Sequence, residues 1–213
     1  MVESRKSDFY NAKYAAGGWS YNEDRERNWL KKHLIDGIGI EPGSRLLEIG
    51  CGMGLHSALL SEFGLKVSGI DVAEVGIEAA RARGSAAEFI ADSVSDVPKY
   101  FDPESLDVIY SRGMSWYHYN LSGMNRFGLD TTEETAKLFG FLKPGGLFVL
   151  QIKTDFSGFR PADDVHHNLL DDYLDLFSTL GEIVHVSNCS GIKIWSQKQA
   201  EQLKGGILIA TRK

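Results

Sequence analysis

At 213 residues the chain is long enough to bury the core of one α/β domain and short for two. Its net charge of −6 argues against the clustered Lys and Arg of a nucleic-acid-binding surface. Hydrophobic residues make up 43%, yet no apolar run reaches the length of about eighteen that crosses a bilayer, and Met1–Lys6 opens onto no leader-like apolar core. The two cysteines, Cys51 and Cys189, offer neither a disulfide framework nor metal spacing, so a cytoplasmic protein is expected.

The patterned part begins after Ser7–Tyr21, a stretch dense in aromatics. Asn22 is placed to cap a helix through Trp29, Leu30, Leu34 and Ile35. Leu46–Ile49 reads as a short strand, and Leu55–Phe63 as a helix closed by Gly64. Lys66–Asp71 is a second strand, followed by a helix from Ala73 to Arg83 that Gly84 ends. Glu88–Asp92 and Leu106–Ser111 are the third and fourth strands. Asp130 with Glu133 predicts a capping box for a helix through Leu138 to Leu142, and a Pro144-Gly145 turn feeds a fifth strand ending at Leu150. A further helix starts at Asp164, with Leu169, Leu170, Tyr173, Leu174 and Phe177 on its buried side and Gly181 at its end. Glu182–Val186 and Gly206–Thr211 complete the strands. This alternation predicts a mostly parallel sheet covered on both faces.

The most informative stretch joins the first strand to its helix: Glu48-Ile49-Gly50-Cys51-Gly52-Met53-Gly54-Leu55. Three alternate glycines let the backbone take positive φ and approach a ligand closely, and the helix opening at Leu55 points free N–H groups the same way. The dinucleotide fingerprint of dehydrogenases needs a third small residue where this chain has Leu55. Instead, Glu48-x-Gly50-x-Gly52-x-Gly54, an acid closing the second strand (Asp71), another closing the third (Asp92), the loop after the fourth and Lys143-Pro144-Gly145-Gly146 before the fifth occur in the order that resembles the class I S-adenosylmethionine-dependent methyltransferases of small-molecule type, over roughly residues 44–153.

That resemblance implies a Rossmann-like, doubly wound α/β fold with a seven-stranded sheet whose last strand runs antiparallel between the fifth and sixth. It implies one domain over 1–213, with an N-terminal helical lid (1–40), a cofactor-binding core (44–153) and a C-terminal part (154–213) that completes the sheet and supplies acceptor-pocket elements. S-adenosylmethionine is the implied cofactor and S-adenosylhomocysteine the product. Glu48 would lie near the methionine amino group, with Gly50, Cys51, Gly52, Gly54 and Leu55 beneath the ribose and methionyl chain. Asp71 and Val72 would take the ribose, Asp92 and Ser93 the adenine, and Ser111, Arg112 and Gly113 would border the methyl group. Tyr14 and Trp19 would shield the sulfonium as a lid. Each acid taken alone is more often a helix cap or turn residue, and the aromatic segment can equally be packing.

After the fourth strand, Ser111–Asn120 brings together a cation, several rings and an imidazole. His118 is the candidate catalytic base, since an unperturbed imidazole suits proton removal near neutral pH, although a histidine beside aromatics is commonly just packed. Arg112 is suited to a substrate carboxylate or phosphate, and Tyr117, His118 and His166 are the further candidate substrate contacts. His166 and His167 beside Asp163 and Asp164 suggest a metal, but adjacent ligands rarely converge on one ion and none is expected. The chain lacks both the Asn/Asp-Pro-Pro-Tyr motif of amino methyltransferases acting on adenine or glutamine and the Pro-Cys nucleophile of the cytosine C5 enzymes. Methyl transfer to a small molecule or metabolite is therefore expected, oxygen slightly favoured over nitrogen, by a monomer or homodimer with no membrane or nucleic-acid partner. A non-catalytic S-adenosylmethionine-binding protein and a nicotinamide-dependent dehydrogenase are the alternatives.

Overall fold

Apolar pattern and turn chemistry place most elements close to where the sequence predicts them. The computed structural model describes residues 2–119, 121, 128–159, 166–203 and 205–213. Two compact units emerge: Met1–Asp102 with Leu106–Val108, and Pro103–Ser105 with Ile109–Lys213.

In the first unit, α1 (Val2–Ala15) precedes α2 (Glu23–Leu30), whose cap is Asn22 accepting from the Arg25 N–H at 2.9 Å. The predicted helix runs on beyond Ile35, but from Lys31 to Ile38 it widens into π-helical turns before Gly39 ends it at φ 87°. Then come β1 (Arg45–Ile49), α3 (Leu55–Glu62), β2 (Lys66–Asp71), α4 (Glu74–Ala82) and β3 (Glu88–Ala91). β1 and β2 pair in parallel with Ile49 opposite Ile70, and β2 and β3 pair in parallel with Asp71 opposite Ala91. Leu47, Ile49 and Ile70 are fully buried, each stabilising the fold by about 1.5–3 kcal/mol relative to exposure. These registers align the carboxyl ends of the three strands, where an open α/β sheet binds ligands.

β4 (Leu106–Arg112) is shared between the units. The second unit continues with α5 (Thr131–Phe139), β5 (Leu142–Ile152), α6 (Leu170–Ser178), β6 (Glu182–Asn188), α7 (Gln197–Leu203) and β7 (Ile207–Arg212). Asp130 caps α5 as predicted, accepting from the Thr132 and Glu133 N–H groups. The helix stops at Phe139 rather than Leu142, because a turn through Gly140 hands Leu142 to β5. Asp164, the predicted start of the next helix, lies outside the described residues, but residues 166–169 are not helical and the helix begins later than expected, at Leu170, with the Leu169 N–H donating to Asp172 at 2.7 Å. Leu169 is exposed, and Leu176 takes the buried place expected for Leu174. Phe139, Phe148 and Phe177 form the aromatic centre of this unit, with ring centroids 5.3–6.3 Å apart.

The sheet has seven strands in the order β3-β2-β1-β4-β5-β7-β6, and β7 runs antiparallel to both neighbours. This is the Rossmann-like topology expected for the chain, helices surrounding a mostly parallel sheet. Among the described residues no helix is long and apolar enough to cross a membrane.

Candidate active site

The loop after β1 is built by conformation and by latches to β2. Gly50, Gly52 and Gly54 all have positive φ, at 69°, 54° and 70°. The N–H groups of Gly50 and Cys51 both donate to the Ile70 carbonyl, at 2.8 and 3.1 Å. Gly52 donates to Asp71 Oδ2 at 2.8 Å, while Asp71 Oδ1 accepts from the Ala73 N–H at 2.9 Å. Asp71 is only 6% exposed. Burial raises its pKa, and the two backbone donors offset part of that rise. Each carboxylate oxygen retains a lone pair for a further donor.

Glycine is required at two of these positions. A Cβ on Gly52 would lie 2.6 Å from the Tyr14 hydroxyl, and one on Gly54 would lie 2.5 Å from Ala80 Cβ and 2.7 Å from the Phe89 ring. Cys51 is buried beneath the loop with Ile77, Ala80 and Phe89. Burial, then Glu48 and Asp71, hold its thiol well above its ordinary pKa, so it is an inert packing group.

Glu48 lies at the end of β1. It is 2% exposed, accepts from the Ser57 hydroxyl at 2.5 Å, and has His56 Nδ1 at 3.9 Å. Its carboxylate braces the loop against the first turn of α3. Asp92 is more open, at 25% side-chain exposure. Burial works to raise its pKa, but the Tyr100 hydroxyl, the Ser93 N–H and Lys99 outweigh this and lower it. Its N–H donates to the Asp71 carbonyl, and Ser93 caps the short 3₁₀ turn Val94–Lys99. Asp71, Val72, Asp92 and Ser93 thus occupy adjacent strand ends, as expected.

Tyr14 lies over the glycine loop, 9% exposed, with its ring also against the position a Gly76 Cβ would take. Burial and the nearby Asp71 raise its phenol pKa, so it stays a neutral donor. Trp19 packs edge-on against Tyr14 at 5.7 Å but remains 47% exposed. α1 is further tied to the site by Asn11, whose Oδ1 accepts from the Val75 N–H at 3.0 Å and caps α4. Arg83 Nε donates to the Met53 carbonyl at 2.8 Å. Sequence reasoning missed Asn11, Ser57 and Arg83, since each acts across a gap in the chain that local patterns do not reveal.

In the second unit, Ser111 is fully buried, and its hydroxyl has no hydrogen-bond partner among the described residues. Arg112 is half-buried, and Gly113 donates to the Gln151 carbonyl at φ 62°. Tyr117, expected at the substrate, is core: its ring is fully buried beside Phe148 and Phe177, and its hydroxyl meets Thr135 at 3.2 Å. The Tyr117 carbonyl accepts from Tyr173 at 2.8 Å, and Asn168 donates to the Tyr119 carbonyl at 2.8 Å. These bonds anchor the turn Ser115–His118.

The structure brings His118 and His166 together, the His166 N–H donating to the His118 carbonyl at 2.6 Å. Burial, with the imidazole of His167 adding to it, pushes His118 down to about 4. It is therefore neutral at pH 7 and too weak a base to match the expected role well. His167 keeps 28% of its side chain exposed; its Nδ1 is 3.4 Å from Asp155 Oδ1 and 3.4 Å from Thr154 Oγ1. Among the described residues no group of three or more His, Cys, Asp or Glu is placed to hold a metal ion. Asp163 and Asp164 lie outside the described residues.

Residues 46–146 match the methyltransferase domain family. The chain is 31% identical over 140 residues to the S-adenosyl-L-methionine-dependent Diels-Alderase iccD of Talaromyces variabilis, spanning 64% of this chain and 46% of that protein. It is 30% identical over 131 residues to the trans-aconitate 2-methyltransferase of Paracidovorax citrulli, spanning 60% and 45%. It spans about half the length of the curated relatives it matches. Among solved structures, the 4+2 cyclase SpnF superimposes with a TM-score of 0.73 at 16% identity, covering 100% of this chain and 97% of that one. The phosphoethanolamine N-methyltransferase 2 of Haemonchus contortus in complex with S-adenosyl-L-methionine gives 0.64 at 19% identity, covering 92% and 53%. These two likenesses establish shared fold.

Proposed function

We propose, from the match of residues 46–146 to the methyltransferase domain family, that this chain binds S-adenosylmethionine in its first unit and methylates a small-molecule acceptor, releasing S-adenosylhomocysteine. The observation that carries this reading is the glycine loop, three positive-φ glycines tied through the Gly52 N–H to a buried Asp71 that keeps a lone pair on each oxygen. Those lone pairs suit the two ribose hydroxyls, Asp92 the adenine amine, and Tyr14 a lid that excludes water. When bound, the cofactor supplies an activated methyl group. The protein then has mainly to place and orient the acceptor.

Oxygen is slightly favoured over nitrogen, a preference that leans on the half-buried Arg112 at the end of β4, suited to an acceptor that carries a carboxylate or phosphate. Calorimetric titration with S-adenosylhomocysteine, with NADH as control, tests the cofactor assignment. Binding of the former alone supports it; binding of neither, or of NADH alone, overturns it.

A second reading draws on the resemblance to iccD, a Diels-Alderase by name, and SpnF, a 4+2 cyclase by name. There the cofactor would be bound but not consumed while a carbon skeleton closes. Turnover without loss of S-adenosylmethionine would favour it. Loss of one methyl group per product would exclude it.

A further inference from the structure

We propose that the first unit holds a second small-molecule site, one that takes a zwitterion with an apolar body, an α-amino acid of about leucine's size, and that Arg83 links this site to the glycine loop. A cavity of about 370 Å³ opens between α2, α3 and the turn that carries α4 into β3, within the range of about 300–1,000 Å³ usual for small-molecule sites. All of its lining residues belong to the first unit. The loop glycines, Asp71 and Asp92 are not among them.

The floor of the cavity is apolar. Leu55, Ala58 and Leu59 share one face of α3, because positions three and four apart lie on the same side of a helix, and they suit an aliphatic side chain. One wall is acidic. Arg27 serves three carboxylates: Glu23 Oε1 accepts from its Nη2 at 2.9 Å, Asp24 Oδ1 from its Nη1 at 2.8 Å and Glu62 Oε2 from its Nε at 2.9 Å. Glu23 and Glu62 line the cavity. One guanidinium against three carboxylates leaves negative charge over, and the oxygens keep lone pairs for a further donor. An ammonium group fits that wall.

Arg83 brings the opposite charge from the end of α4. Its Nε donates to the Met53 carbonyl at 2.8 Å, while its Nη1 stands 4.0 Å from Glu23 Oε2, beyond hydrogen-bond reach. The Nη1 and Nη2 donors suit a carboxylate. Ser85 follows two residues on and also lines the cavity; its hydroxyl is covered and has no hydrogen-bond partner among the described residues. A rotation about χ1 turns that hydroxyl to the same carboxylate. Met53, whose carbonyl Arg83 holds, stands between Gly52 and Gly54. A carboxylate that draws on the guanidinium alters its hold on the loop, and the effect of each ligand on the other is reciprocal. The linkage rests on the cofactor reading above, whereas the site itself does not.

The test is calorimetric titration of the full-length protein with L-leucine, alone and at saturating S-adenosylhomocysteine. Saturable binding with a Kd below about 1 mM is expected in both. Leucinamide lacks the carboxylate, N-acetyl-leucine the ammonium and glycine the side chain, so each should bind about tenfold more weakly or worse. Arg83→Gln should weaken leucine by about tenfold or more. Ser85→Ala should weaken it by about threefold or more and leave the urea midpoint unchanged or raised, because the lost hydroxyl had no partner. No saturable heat up to about 10 mM leucine overturns the site. So does equal binding of leucinamide or N-acetyl-leucine, or mutual exclusion of leucine and S-adenosylhomocysteine, which would place leucine at the glycine loop. Saturating leucine should move the S-adenosylhomocysteine Kd by about fivefold or more in the unaltered protein and not in Arg83→Gln. An unmoved Kd in the unaltered protein overturns the linkage. A protein that takes leucine but not S-adenosylhomocysteine refutes the cofactor reading and upholds the leucine site.

Discussion

Gly54→Ala puts a single methyl group where the loop, α4 and β3 converge, and its cost follows from two separable terms. At φ 70° an alanine is held in the left-handed region, which costs about 1–2 kcal/mol. The new methyl would lie 2.5 Å from Ala80 Cβ and 2.7 and 2.8 Å from two atoms of the Phe89 ring. Ala80 sits on α4 and Phe89 on β3, both buried in one cluster, so neither withdraws freely; overpacking of this kind costs about 1–3 kcal/mol. The sum, about 2–5 kcal/mol, is a large share of the roughly 5–15 kcal/mol that holds a domain together. Gly84→Ala is the matched control, since Gly84 has φ 69° and nothing within 4 Å of its Cβ position. It carries the conformational term alone. Urea unfolding should place Gly54→Ala about 1–3 kcal/mol below Gly84→Ala. Equal losses in the two variants would refute the claim that α4 and β3 close on the loop.

Other expectations follow from the same geometry. Gly52→Ala places its Cβ 2.6 Å from the Tyr14 hydroxyl, so it should lower hydrogen-exchange protection in α1 and weaken S-adenosylhomocysteine; adding Tyr14→Ala should remove the clash and restore part of the affinity. Asp71→Ala should weaken S-adenosylmethionine and S-adenosylhomocysteine equally, by about 10–100-fold, as read by calorimetry, because the ribose is common to both. Unequal losses would assign Asp71 another role. His118 has a folded pKa of about 4, below its ordinary value of 6.5. The unfolded chain therefore binds more protons between those values, and stability should fall as pH drops from about 6.5 to 4, by at most about 3 kcal/mol. His118→Gln should flatten that part of the urea-midpoint profile, and an unchanged slope would refute the burial argument. His185, also lowered by burial and then Lys193, adds slope of the same sign, while Asp71, raised by burial, adds slope of the opposite sign.

The sequence by itself determined what local chemistry dictates. Gly50, Gly52 and Gly54 follow an apolar strand and need positive φ. Asn22 and Asp130 cap their helices because a short polar side chain reaches the N–H groups two or three residues on. The alternation of strands and helices was sufficient for a mostly parallel sheet. The antiparallel β7 came from family resemblance, since a buried strand reads the same in either direction.

Only the tertiary structure decided the rest. His118 and Tyr117 stand in a polar-aromatic segment whose burial is set by α5, β5 and α6, elements distant in the chain. Glu48 turns to Ser57 because α3 docks beside it, and Tyr14 meets Gly52 only once α1 folds onto the loop. Asp155 and His167 are twelve residues apart and approach to 3.4 Å where Gly158 and Phe159 hydrogen-bond the His167 backbone. Burial, protonation and hydrogen-bond partners depend on which surfaces meet in space, and a one-dimensional pattern of residues does not carry that distance.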